Sequence, residues 1–86
     1  MTFRSLALPR FWDLYDELPA EVQAQADKQY SVFSKDPFHP SLRFKQVGPF
    51  WSVRISYSYR ALALREDDTL TWFWIGTHTD YDKMLK

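Results

Sequence analysis

The sequence predicts an α+β fold in which an N-terminal helical hairpin packs on an antiparallel meander of about four strands. Three observations carry that reading. Apolar residues in the first half recur at helical spacing, as Leu8, Phe11, Trp12, Tyr15 and Leu18. In the second half Trp51, Val53, Ile55 and Tyr57 alternate with Ser52, Arg54, Ser56 and Ser58, a period of two. Helices come first and strands after, which separates α+β from an alternating α/β chain.

Thr2 to Leu8 reads as a short first strand, interrupted by Arg4 and Ser5. Pro9 suits the first turn of a helix whose apolar stripe places Phe11 and Trp12 in the core. Leu18-Pro19 ends it, and Pro19 can open a second helix with Val22, Ala26, Tyr30 and Phe33 on its buried side. That helix should stop near Ser34, because Asp36 precedes Pro37 and is pushed away from helical angles. Asp36 to Leu42 (DPFHPSL) reads as an ordered loop. A basic strand then starts near Leu42, with Arg43 and Lys45 on one face, and Gly48-Pro49 closes it. Tyr59 to Arg65 is a strand whose Ala61 and Ala63 suit close helix packing, and Asp67-Asp68 forms the next turn. Leu70 to Thr77 is a nearly continuous apolar and aromatic run, expected of a strand covered on both faces. Within it Trp72 and Trp74 are expected on one face, as core or as a base-stacking platform. Residues 79–86 read as a terminal helix with Thr79 as N-cap.

The 86 residues suit one domain, residues 1–86, just large enough to fold on a single core. Aromatic residues make up 19% of the chain, so a few large side chains must fill that core. There is no cysteine, which excludes disulfides and thiolate metal sites and suits a reducing, cytoplasmic setting. No signal peptide and no membrane span is evident, and no membrane partner is expected. The net charge of zero hides an asymmetry. Residues 35–65 hold six basic residues against one acid, whereas the segments before and after are acidic. A basic block between acidic ends can build a local positive surface on a neutral protein, and so can an ordinary solvated face.

Chemistry concentrates in the strands. Arg54 and Arg60 come from adjacent strands, and His78 and Tyr81 stand where the last strand ends. Guanidiniums hold a phosphate in a bidentate fork, and an imidazole exchanges protons near neutral pH. The bland alternatives are a solvated strand arginine, a turn histidine and a tyrosine that pins the terminal helix. No phosphate-cradling glycine loop, metal-ligand cluster or cysteine nucleophile is present. Cleaving RNA needs none of these, because the 2′-OH is the nucleophile. It needs a base, an acid and cations for the phosphoryl oxygens, and no cofactor.

These features, in this order and spacing, resemble the RelE/ParE superfamily of bacterial type II toxins over nearly the whole chain. The resemblance lies in LP at Leu18-Pro19, DP at Asp36-Pro37 and LRFK at Leu42 to Lys45. It continues through WSVRI at Trp51 to Ile55, YRALAL at Tyr59 to Leu64 and WIGTHTDYDKML at Trp74 to Leu85. The arginine pairing with a late His and Tyr looks most like the RelE and YoeB-like branch. It implies a toxin that cleaves mRNA on the ribosome and is held by a cognate antitoxin. Position by position it implies Arg60 on the scissile phosphate and Arg54 beside it. His78 and Tyr81 would be acid/base residues, and Arg43, Lys45 and Lys83 would bind RNA. Where the YoeB-like pattern has a glutamate, this chain has His39-Pro40-Ser41, and its pI near 6.7 is low for a ribosome-directed nuclease. The ParE branch shares the fold but inhibits DNA gyrase by binding, and a degenerate, non-toxic member is the third reading.

Overall fold

A computed structural model describes residues 3–85 of the chain. Thr2, where the first strand was expected to begin, lies outside the described residues, as does Lys86. The elements are β1 (Arg4–Ala7), α1 (Pro9–Asp16), α2 (Ala20–Lys35), a 3₁₀ turn (Pro40–Leu42), β2 (Lys45–Val47), β3 (Phe50–Ser56), β4 (Tyr59–Glu66), β5 (Thr69–Thr77) and α3 (His78–Met84). Helices and sheet follow the expected α+β order. The sheet has five strands in the order β1-β5-β4-β3-β2 and is mixed. Strands β2 to β5 form the antiparallel meander, and β1 adds to its far edge in parallel with β5. That ladder closes where the Leu8 N–H donates to the Trp72 carbonyl at 3.0 Å, because Pro9 has no N–H to continue it.

Local chemistry explains the helix ends. Pro9 occupies the first turn of α1, and the Glu17 N–H closes its end on Leu14 and Tyr15. Pro19 takes the N-cap position of α2, with Glu21 in the first turn and Lys35 in the last, the arrangement that suits the helix dipole. Asp36 at φ −150° is extended, as the residue before a proline should be. The basic strand begins later than expected: Pro40 to Leu42 forms a 3₁₀ turn that buries Leu42, and Arg43 follows at φ 46°. The terminal helix starts at His78, and its N-cap is Thr77, not Thr79. The Thr77 hydroxyl accepts from the Asp80 N–H at 3.2 Å.

Each helix covers one strand and leaves a gap between them. α1 rests on β5 and α2 on β3. The main core lies under the helices and includes Phe33, Leu42, Val53, Ile55, Ala63 and Trp72, each large one stabilising by roughly 1.5–3 kcal/mol. Ala61 and Ala63 were expected to admit a close helix, yet Ala61 instead floors the space between the two helices. Trp12, expected in the core, is 50% exposed at that gap, and Tyr30 is 53% exposed. Phe11 does pack against the core.

Two bulges decide which side chains face where. In β4–β5, Ala63 pairs with Trp72 and Leu62 with Trp74, so Phe73 is an extra residue. Trp72 and Trp74 are therefore buried on opposite faces, not on one. Trp72 joins the helix-side core, while Trp74, Leu62 and Tyr81 form a second small core on the other side. The other irregularity sits at Ile55, between the Arg54–Arg60 and Ser56–Tyr59 pairs.

Candidate phosphate and proton-transfer site

The cross-strand pair Arg54–Arg60 lies on the sheet face away from α1 and α2. Ser52 pairs with Leu62, a member of the second core, and Arg54 follows two residues on, so both arginines share that face. Lys45 pairs with Ser52 and projects to the same side, exposed. Arg43 is exposed after the 3₁₀ turn, close enough for its charge to act on Arg60. Arg65 belonged to the same basic block in the sequence but lies elsewhere. Its guanidinium sits 4.8 Å from the ring centroids of both Phe3 and Trp51, in the helix-side aromatic cluster.

Arg60 is also a strut. Its Nη1 donates to the carbonyls of Ser56 at 2.6 Å, Tyr59 at 2.9 Å and Tyr57 at 3.3 Å, bracing the β3–β4 turn. Among the described residues its Nε and Nη2 make no hydrogen bond, which leaves them for an anion. Partial burial, then the like charge of Arg54, pushes the Arg60 guanidinium below its ordinary range, with Arg43 adding to it. Tyr81 and Asp82 act in the opposite direction. A positive cluster that disfavours its own charge gains by taking up an anion.

The start of α3 is tied to the same turn, because the His78 N–H donates to the Ser58 carbonyl at 2.7 Å. The His78 ring is about half exposed, stacks on Tyr81 at 5.8 Å, and places Nδ1 3.6 Å from the Asp82 carboxylate. That is an ion pair whenever the ring is protonated. Tyr81 is only 8% exposed and packs with Leu62 and Trp74, so it pins α3 to the sheet. Lys83 stands exposed on α3 beside Asp82. His39 is held in its loop, where its Nδ1 accepts from the Ser41 N–H at 3.2 Å and contacts the Ser41 hydroxyl at 2.9 Å. Among the described residues no group of three His, Asp or Glu side chains is placed to hold a metal.

Two participants escape the sequence patterns. Tyr57 looked like the last core residue of an alternating strand, but β3 ends at Ser56 and Tyr57 is 83% exposed at the turn tip. A phenol ring there, next to the Arg60 strut, is a surface for base stacking. Ser52 flanks Trp51 and Val53 in the same way and is buried, so the serines beside Tyr57 gave no sign that the core had ended. Asp82 is the other: its spacing of four from His78 becomes a helical pair only because α3 starts at His78 and not at residue 79.

The family model of the ParE-like toxin domain matches residues 20–83. No curated protein matches the chain by sequence. Among solved structures, the RelB–RelE antitoxin–toxin complex of Methanococcus jannaschii gives a TM-score of 0.73 at 10% identity, covering 94% of this chain and 99% of that one. A mutant of the E. coli toxin RelE in the free state gives 0.68 at 14%, covering 95% and 90%. The YoeB/ParE toxin of Agrobacterium tumefaciens gives 0.65 at 15%, covering 88% and 99%. At such identities these likenesses speak for the fold, and the family match speaks for the lineage. The chain belongs to the ParE-like toxin domain family, within the RelE/ParE superfamily of toxins.

Proposed function

We propose that this toxin is a metal-independent endoribonuclease that cuts mRNA on the ribosome and is held inactive by a cognate antitoxin. The observation that carries the reading is the Arg54–Arg60 pair on an open sheet face, with His78 delivered beside it by α3. In the reaction the 2′ oxygen of the RNA bonds to phosphorus as its proton leaves to solvent. The bond from phosphorus to the 5′ oxygen breaks as that oxygen gains a proton from the His78 imidazolium, which Asp82 pairs. The products are a 2′,3′-cyclic phosphate and a 5′-hydroxyl end. Arg54 and the free edge of Arg60 stabilise the charge gathering on the phosphoryl oxygens. Tyr57, Arg43, Lys45 and Lys83 hold the strand around it. Tyr81 serves by fixing the helix that carries His78.

An antitoxin segment bearing carboxylates, laid across this face, would neutralise both guanidiniums. The RelB–RelE antitoxin–toxin complex of M. jannaschii, a neighbour in fold, supports an antitoxin as partner. The test is to add purified toxin to translating ribosomes and map new 5′-hydroxyl ends on the message. Discrete ends that depend on Arg60 support the nuclease. A second reading, a gyrase inhibitor acting by binding alone, is favoured by the ParE-like family match and the neutral pI of about 6.7. It predicts intact message and trapped gyrase–DNA complexes in a supercoiling assay.

A further inference from the structure

Strand β2 is too short to hold the corner of the arginine face. It pairs with β3 only from Val47–Phe50 to Lys45–Ser52, and β3 outruns it through Val53 and Arg54. The chain that passes there is the 3₁₀ turn, which packs on β3 and on α2. Arg43 leaves that turn at φ 46°, a conformation that a residue with a β-carbon adopts unfavourably and keeps only where its neighbours hold it. It also arrives beside like charges, because its guanidinium acts on Arg60 together with that of Arg54. Left to electrostatics alone, the turn would carry Arg43 away from the pair.

Gln29 supplies the hold. From within α2 its Nε2 donates to the Arg54 carbonyl at 3.0 Å and to the Ser41 carbonyl at 3.3 Å. Both partners only accept, so the amide nitrogen faces them and its two hydrogens serve one each. The bridge joins the strand that carries Arg54 to the turn that delivers Arg43. Leu42, fully buried between Ser41 and Arg43, seats the turn in the core, and Gln29 sets where its backbone lies against β3. An amide does this without charge. A lysine or arginine in its place would add a further cation to the cluster, and a carboxylate would have no hydrogen to give.

We propose that Gln29 is a positioning residue for the arginine face: by tying the Ser41 carbonyl to that of Arg54 it holds Arg43 beside Arg54 and Arg60, where the guanidiniums meet the phosphates of one RNA strand. The inference rests on the reading of that face as an RNA site. It extends that reading to a side chain on the helix side of the sheet that itself touches no RNA.

The probe is a short labelled single-stranded RNA, methylated at every 2′ oxygen so that it cannot be cut. Its affinity for the full chain is measured by fluorescence anisotropy at several salt concentrations. Each phosphate contact on a single strand contributes about 0.7 to the slope of log K against log salt, a factor of roughly 5 in Kd at about 0.1 M salt. Gln29→Met exchanges one uncharged side chain for another of similar length. It should nevertheless flatten the slope by about 0.7 and raise Kd roughly 5-fold, because Arg43 no longer reaches its phosphate. In an Arg43→Gln background the same substitution should change neither, since the contact it positions is already gone. Met is a good helix former and Gln29 is half-buried, so the fold should survive; circular dichroism checks this, and Gln29→Ala gives the same readout if Met packs badly. A merely structural role would lower Tm and leave the slope of the folded protein unchanged, which overturns the proposal. So does a Gln29→Met effect that persists undiminished in Arg43→Gln. Wild type that fails to bind the RNA sinks the proposal and the RNA reading together. A Gln29-dependent slope in a chain that cuts no message upholds the proposal and sinks the cleavage alone.

Discussion

Replacing Arg60 with alanine separates two roles that one side chain combines. As a strut, Nη1 reaches three carbonyls of the β3–β4 turn, but it has only two hydrogens, so the bonds at 2.6 and 2.9 Å dominate. A hydrogen bond from a charged group contributes roughly 1.5–3 kcal/mol where water cannot replace it. Here water can, because the turn is exposed at Tyr57 and Ser58. Removing Arg60 also relieves its desolvation and its repulsion with Arg54, the two largest of the causes that lower its pKa. The net loss should be about 1–2 kcal/mol, or roughly 4–16 °C in Tm for a domain of this size. As a charge, Arg60 should matter more. Losing one group that stabilises a developing oxyanion typically costs roughly 10²–10³-fold in rate.

The two effects separate if each variant is melted by circular dichroism first. Cleavage of translated message is then measured well below its Tm, where a two-state domain is almost wholly folded. Arg60→Ala should then be slower by about 10²–10³-fold although folded. Arg60→Lys should recover part of that loss, because it keeps the charge but not the fork. Wild-type cleavage by folded Arg60→Ala would refute the phosphate role. An unchanged Tm would refute the strut.

Further outcomes follow from the same geometry. Gly76→Ala should destabilise by about 1–3 kcal/mol, the usual range for overpacking, because an added Cβ would come 2.6 Å from Trp74 Cζ2 on a ring already packed against the second core; a thermal melt matching wild type would contradict this. His78→Gln should slow cleavage by roughly 10²–10⁴-fold and flatten one limb of the pH–rate profile without lowering Tm. Tyr57→Ala should leave stability unchanged and weaken single-stranded RNA binding by about 1–3 kcal/mol, read by anisotropy. Tyr15 has its pKa raised, first by its hydrogen bond to Asp27 and then by burial. Its contribution is therefore complete below the unfolded value near 10 and is lost as pH rises through the folded one. Denaturant midpoints of wild type and Tyr15→Phe should converge above that pH, by about 0.5 kcal/mol or less for so exposed a pair.

Much of this molecule is legible in its sequence where one physical rule acts alone. Pro9, Pro19 and Pro37 fix the helix ends, and the alternation from Trp51 to Ile55 fixes β3. The rule fails where two compete. Trp12 and Tyr30 share the helical spacing of core residues, yet α1 and α2 lie over different strands and leave these rings at the gap. Nothing in either helix reports how far away the other one sits. The 3₁₀ turn at Pro40–Leu42 was hidden for another reason: an apolar Leu42 beside alternating basic residues reads as a strand, although the preceding proline had already committed the backbone to a tight turn.

The bulge at Phe73 matters most for the site, and period-two reasoning cannot find it. Leu70 to Ile75 is apolar or aromatic at nearly every position, so alternation is invisible there and either register buries tryptophan. With the bulge, Trp74 moves to the far face and stacks a second core with Leu62. Tyr81 docks on that core and stacks on the His78 ring, while the His78 N–H, by donating to the Ser58 carbonyl, ties the start of α3 to the turn that Arg60 braces. Without the extra residue, Trp74 would face the helices, and α3 would have no apolar platform on the arginine side. The proposed chemistry therefore hangs on a one-residue irregularity in β5. The arginines stand together by strand pairing alone, whereas the seating of α3, and with it the orientation of the His78 ring proposed as proton donor, adds a packing event to the ladder.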